Sequence, residues 1–389
     1  MKKNNSRLLL FLTASLFLTA SCRKTHIDDK VLRDFQQVNL VANNSNYSAA
    51  HVDPTLQNAW GIAWSPTGIA WVNSNAGHVS ELYTSEGVIV RAPVNIPSPA
   101  DTINGLPSGI VFSGGKGFIL SNKQAAAFIF VGEDGVLSAW NGAAGNNAFR
   151  IRDNSATSSY KGLALAANGS HNYLYAANFK TGKIDVWDTT FAPVSMPFWD
   201  PSIPAGYAPF NIQSIGSWLY VLYAKVGPDG DDVAGAGNGF VDIFNTDGSF
   251  VKRFASRGKL NAPWGVVMAP ASFLEDHDMG DDDKGDDHGG SNNSGSNNNS
   301  SHSGNDDGFH HNDPVILVGN FGDGRINAYS LDGQFLGQLQ SHNRTIAING
   351  LWALSFAPTT ATTIDPNRLY FSAGPKDETD GLFGYLIKQ

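Results

Sequence analysis

The chain has 389 residues, of which 41% are hydrophobic, 11% aromatic and only 16% charged, and it contains 42 glycines. Soluble globular chains carry about 25% charged residues and ~7% glycine, so this composition favours β structure with many tight turns and excludes wholesale disorder or a polytopic membrane protein. The net charge of −9 is local: residues 275–313 hold ten Asp and Glu275 against Lys284 alone, a charge of −10, and everything else sums to +1. The basic field of a nucleic-acid-binding protein is therefore absent.

Lys2, Lys3 and Arg7 precede an apolar run over residues 8–20. That run is shorter than the roughly 20 residues a transmembrane helix needs, but it suits the core of a secretory signal. It ends in Leu18, Thr19, Ala20 and Ser21, followed by Cys22, the only cysteine in the chain. The arrangement resembles a bacterial lipoprotein box. It predicts a leader over residues 1–21, lipidation of Cys22, and a polar tether over residues 22–34. Acylation at Cys22 leaves no thiol for a disulfide, so packing must supply the stability. It also implies a lipid-anchored protein of the cell envelope, on a bacterial outer membrane facing the periplasm or the exterior.

From residue 35 onward one unit is written six times. Its first strand recurs at residues 58–64, 107–112, 160–165, 208–213, 262–267 and 350–355, which aligns Gly61, Gly109, Gly162, Asn211, Gly265 and Ala353. The spacing is near 50 residues throughout once the acidic tract is removed, so 275–313 is an insertion into blade five, between its first and second strands. Glu86-Gly87, Asp247-Gly248 and Asp332-Gly333 predict hairpin turns into a fourth strand. Four short alternating strands per unit describe an all-β, six-bladed β-propeller. The sixth unit supplies only three strands, and residues 35–41 have strand composition without a repeat of their own. They are expected to close the ring as the outer strand of blade six. In blade two, residues 117–120 and 128–131 compete to be the second strand.

The strings at 207–213 (YAPFNIQ), 231–244 (DDVAGAGNGFVDIF), 318–328 (VGNFGDGRINA) and 373–383 (AGPKDETDGLF) resemble a family of uncharacterised secreted bacterial proteins, distant relatives of NHL-repeat propellers. The resemblance covers residues 35–389 and implies a fold and an exported location, with no catalytic residues attached.

In a propeller, the loop into the inner strand and the loop between strands two and three share one face, the usual ligand face. The residues before the repeat glycine are Trp60, Ser108, Lys161, Phe210, Trp264 and Trp352, and the second-to-third turns carry Asn73, Asn75, Asn178 and Asn320. The pattern predicts an aromatic floor with a polar rim that takes a small polar ligand, a carbohydrate or a protein, on a monomer. Asn73, Asn178 and Asn320 stand at positions matching calcium ligands of six-bladed lactonases, but no acid starts an inner strand and a neutral amide ring would bind calcium weakly; Asp229, Asp231 and Asp232 are further candidate ligands for Ca2+. No nucleophile elbow, metalloprotease helix or phosphate loop is present. The tract holds five of the ten histidines, a composition suited to weak capture of divalent metal on the opposite face. The expected function is a non-catalytic binding module; the alternative is a metal-dependent hydrolase or lyase, lactonase-like, acting at the central channel.

Overall fold

The computed structural model describes residues 31–115, 117–275 and 314–389. The leader, Cys22, most of the tether and nearly all of the acidic tract lie outside them. Six antiparallel sheets succeed one another along the chain, and the inner strand of each packs beside the inner strand of the next until the sixth meets the first. The inner strands are Ala59–Trp64, Pro107–Phe112, Tyr160–Asn168, Tyr207–Ile215, Pro263–Met268 and Leu351–Ser355. The fold is the six-bladed propeller that the repeats predict.

The repeat glycine has a steric cause. A Cβ on Gly61 would stand 2.5 Å from the Ser108 carbonyl oxygen, and one on Gly109 2.5 Å from the Leu163 nitrogen, in each case backbone of the next blade. Gly162 is closed off in the same way by Asn211, and Gly265 by the carbonyl of Trp352. Side chains reinforce these seams. Asn73 Nδ2 donates to Ser108 O (3.1 Å), Asn211 Nδ2 to Trp264 O (2.7 Å), and the Ser372 hydroxyl to Trp60 O. Toward the end of the inner strands away from Trp60 and Trp352 the axis opens into a depression of about 370 Å³ beside Trp64, Phe112, Leu165 and Ser355, whereas at its centre the six strands leave a void of about 30 Å³, lined by one or more residues from every blade. That is room for about one water.

Residues Phe35–Ala42 pair antiparallel with Leu382–Lys388, from Phe35 opposite Lys388 to Ala42 opposite Leu382. The N-terminal strand therefore closes blade six, and His51–Val52 adds a short parallel strand outside it. Closure is well packed: Phe35 is 1% exposed, with its ring 5.0 Å from Phe273. The packing begins earlier than the expected tether boundary at 34. Val31 and Leu32 are buried in the same cluster, Lys388 Nζ donates to Val31 O (3.0 Å), and Leu32 O accepts from Gln340 N (2.8 Å).

Of two further readings, the structure resolves the first between its alternatives and corrects the second. In blade two the second strand is Phe128–Gly132, whereas Phe118 in the competing segment donates its N–H to Thr189 O (2.8 Å) and buries its ring 5.3 Å from Phe191. That segment stitches blade two to blade three. In blade one the Glu86-Gly87 turn leads only to a single bridge between Tyr83 and Ile89, and the paired outer strand is Val94–Asn95.

Phe35→Ala is expected to cost about 3–5 kcal/mol, the range for a fully buried phenylalanine. It would do so by loosening the strand on which ring closure depends. Urea unfolding of the two proteins measures this, and a loss below about 1 kcal/mol would show that the ring closes without that strand.

Candidate functional site

The expected aromatic floor exists, but it is a plug. Trp60 (blade one) stacks on Trp352 (blade six) with centroids 3.7 Å apart, and Trp352 stacks on Phe321 (blade five) at 3.9 Å. Trp264 (blade five) meets Trp352 edge-on at 5.8 Å, and Phe210 (blade four) packs at 5.8 Å from Trp352. All four rings before the repeat positions, Trp60, Phe210, Trp264 and Trp352, are buried. They form one apolar cluster that seals this end of the axis rather than a surface for a ligand to rest on.

Lys161, from the start of the blade-three inner strand, stands among these rings. Its Nζ lies 5.4 Å from the Trp60 ring centroid and 5.8 Å from that of Phe179, and its carbonyl accepts from Trp264 Nε1 (3.0 Å). The ammonium pairs with Glu133, from the second-to-third-strand turn of blade two, and with Asp231 (2.9 Å), from the corresponding loop of blade four. Burial alone would lower the Lys161 pKa, but the attraction of Glu133 and Asp231 outweighs it and holds the group above the usual lysine range. The Glu133 contact is the sheltered one, with a side chain 22% exposed; Asp231 is 60% exposed, so its attraction is more strongly screened.

Other groups complete the cluster. Asn75 Nδ2 donates to Glu133 Oε2 (2.9 Å). Asn58 accepts from Trp352 Nε1 at 3.0 Å and donates to Glu378 Oε2 at 2.7 Å, linking plug to surface. Glu378 belongs to a run of three left-handed residues, Lys376, Asp377 and Glu378, with φ between 52° and 62°. Such backbone costs roughly 1–2 kcal/mol per non-glycine residue, and here it delivers a carboxylate to Asn58. Burial raises the Glu378 pKa against the Asn58 hydrogen bond, with repulsion from Glu133 adding to it. Burial and the neighbouring Asp231 push Asp232 up to about 7.

Calcium does not fit this arrangement. A hard cation wants six to eight oxygens, whereas here a lysine ammonium sits between the carboxylates, and Asp229 Oδ1 is taken by the Asp231 N–H (3.3 Å). Among the described residues no three His, Cys, Asp or Glu are gathered so as to hold a metal ion. Asp229, Asp231 and Asp232 are therefore not a ligand set. The amides do not supply one either. Asn178 Oδ1 accepts from Ser159 N and Thr181 N (3.3 Å each) and Asn320 Oδ1 from Asn261 N (3.1 Å), so of the three only the buried Asn73 Oδ1 is without a partner among the described residues, and one amide oxygen is not a calcium site. Of the sequence-predicted residues, Lys161, Trp60, Trp264, Trp352, Phe210, Asp231 and Asp232 do come together. Glu133, Glu378 and Asn58 were not anticipated. Glu133 follows Gly132 in the same kind of turn where asparagines drew attention, and that position was its available signal.

These features define a class: a β-propeller of six blades, closed by its N-terminal strand, plugged by aromatics, and bearing a lysine-centred charge cluster on one face. The chain is 32% identical over 369 residues to uncharacterized protein L690 of Acanthamoeba polyphaga mimivirus, covering 90% of this chain and 86% of that protein. It is 29% identical over 367 residues to uncharacterized protein R648 of the same virus, covering 90% and 80%. The chain belongs to the family of L690. These relatives are viral, unlike the bacterial grouping that the motifs resemble. No family model matches the chain. Among solved structures, a streptogramin B lyase aligns with a TM-score of 0.47 at 12% identity, covering 91% of this chain and 97% of that one. A gluconolactonase, XC5397 from Xanthomonas campestris, aligns with a TM-score of 0.43 at 13% identity, covering 85% and 86%. Similarity at that level carries no argument about activity.

The raised Asp232 pKa fixes the sign of a pH effect. A carboxyl whose folded pKa lies above its unfolded value contributes stability at pH below about 4, and that contribution is lost as pH rises to about 7. Asp232→Asn should therefore match the parent near pH 4 and exceed it in melting temperature at pH 8. Parallel melting curves for the two proteins across that range would refute the assignment.

Proposed function

We propose that this chain is a lipid-anchored, monomeric protein of the cell envelope that acts as a non-catalytic binding module. Its ligand would be a small polar molecule, a carbohydrate or a protein, and its axial binding face would be the one that carries Lys161. The observation that supports this reading is the plug on this face: four aromatic side chains are buried where a reaction pocket would open, the void beneath them is about 30 Å³, and the wider depression of about 370 Å³ lies at the other end of the inner strands. What this face presents to solvent is charge held in place, with the half-exposed Asp231 fixed by an otherwise buried lysine. Such a surface selects partners by electrostatic complementarity. The anchor rests on the basic start, the apolar run and the sole cysteine at 22.

One observation favours the hydrolase or lyase alternative, in a form that uses no metal. Asp232, half-protonated near neutrality, lies in the same charged cluster as Lys161, and a carboxyl with that pKa can exchange a proton at working pH.

A thermal-shift screen of sugars, lactones and divalent ions, run beside an assay of lactone opening, separates the two. The binding module predicts a ligand that raises the melting temperature of the parent but not of Asp231→Asn, with no turnover. Lactone opening that disappears in Asp232→Asn would replace that reading with the enzymatic one. For the anchor, Cys22→Ala should move the protein from the membrane fraction to the soluble fraction, and unchanged fractionation would remove the lipid from the account.

A further inference from the structure

We propose a second ligand site, a groove for an oligosaccharide along the outer rim of blade three. The third strand of that blade, Lys183–Trp187, is covered by a fourth strand of only two residues, Pro193–Val194, which pair with Trp187 and Val186. In blade four, by contrast, Phe250–Ser256 pairs along the third strand from Phe240 to Phe244. Beside the uncovered half of the blade-three strand lies a groove of about 720 Å³. Its size is within the ~300–1,000 Å³ of small-molecule sites.

The chain that leaves the short strand is built to hold an aromatic side chain in the open. From 193 to 199 burial alternates strictly: Pro193, Ser195, Pro197 and Trp199 are exposed, while Val194, Met196 and Phe198 are half-buried. Met196 and Phe198 join the apolar cluster between blades three and four, with the Phe198 ring 5.3 Å from Phe244 and 5.8 Å from Tyr175. Immediately after, Asp200 is locked in an ion pair with Arg253. The backbone at Trp199 is thus anchored on both sides, and its side chain stands 70% exposed. Folding gains little from an indole in that position, whereas binding gains a rigid contact surface with few rotamers left to freeze.

The rest of the groove supplies what an indole platform lacks. The side chains of Thr181, Lys183 and Ser195 line it and make no hydrogen bond to any described residue. Asp185 uses Oδ2 to accept from Tyr160 Oη (3.0 Å) and Asn178 Nδ2 (2.9 Å), which orients the carboxylate and leaves Oδ1 free. An apolar plate beside unspent donors and one oriented acceptor matches a pyranose ring, which offers C–H groups on its face and hydroxyls around its edge. This inference deepens the binding-module reading, but it stands on a different surface from the Lys161 cluster.

The test is isothermal titration of the protein with cellohexaose, maltohexaose, chitohexaose and hexagalacturonate, using the parent, Trp199→Ala, Lys183→Ala and Asp231→Asn. At least one hexasaccharide is expected to bind the parent, with Kd weakened by about tenfold or more in Trp199→Ala and a smaller loss in Lys183→Ala. Trp199 is exposed, so its removal should leave the melting temperature unchanged and the comparison interpretable. No binding by any of the four, or binding indifferent to Trp199→Ala, overturns the groove. Sugar binding lost in Asp231→Asn but kept in Trp199→Ala also overturns it, while leaving the binding-module reading in force at the axis.

Discussion

Everything in this molecule follows from how closely six inner strands approach one another. At Gly61 and Gly109 the neighbouring blade's backbone lies where a Cβ would be, and Gly162 and Gly265 are closed off likewise. Packing at that distance narrows the centre of the axis to a void of about 30 Å³ and makes the ring a single closed object rather than six independent sheets. Closure then becomes a requirement, because an open ring would expose both a sheet edge and the flank of blade six. The pairing of Phe35–Ala42 with Leu382–Lys388 meets it, and it ties the two ends of the described chain together.

The tight axis also explains why the aromatics became a plug. Large rings at the positions just before the glycines have nowhere to go but onto one another above the narrowed channel, and Trp60, Trp352 and Phe321 stack there in sequence. Buried indoles still need partners for their N–H groups. Trp264 finds one in the Lys161 carbonyl and Trp352 in the Asn58 side chain, whereas the buried Trp60 Nε1 has none among the described residues. The bond from Trp352 to Asn58 is what carries the plug's hydrogen bonding outward to Glu378 and so to the charged surface.

How much of this was legible in the sequence follows from which interactions repeat. The glycine position was visible because the same steric demand recurs in blade after blade, and the closing strand because a unit lacked its fourth member. Residues 117–120 compete with 128–131 because their composition suits a strand, but their backbone bonds close a local turn with residues 123–126 and reach the next blade only through the Phe118 N–H to Thr189, a contact with no local signature. The end of the tether was missed for a similar reason: Val31 and Leu32 are only two apolar residues and show no period, and their burial depends on Leu274, Gln340 and Lys388 far along the chain. Glu133, Asp231 and Glu378 come from loops of different length and shape, and only the circular topology brings them toward Lys161.

The lysine itself gives the strongest reason to place function at departures from the repeat. Four of the six equivalent positions hold Trp or Phe and one holds Ser, so the fold is satisfied by an apolar or small residue there. Lys161 incurs a desolvation penalty that such residues would avoid, and Glu133 and Asp231 are needed to offset it. A buried ion pair of this kind is a poor route to stability, since apolar replacements commonly do as well or better. The ammonium also joins the turn of blade two to the long loop of blade four through donors on a flexible stem. Stability therefore does not account for this residue, whereas the fixed geometry of the loops it holds does. Blade three, which carries Lys161 at its inner end and the uncovered strand beside Trp199 at its outer rim, departs from the repeat at both.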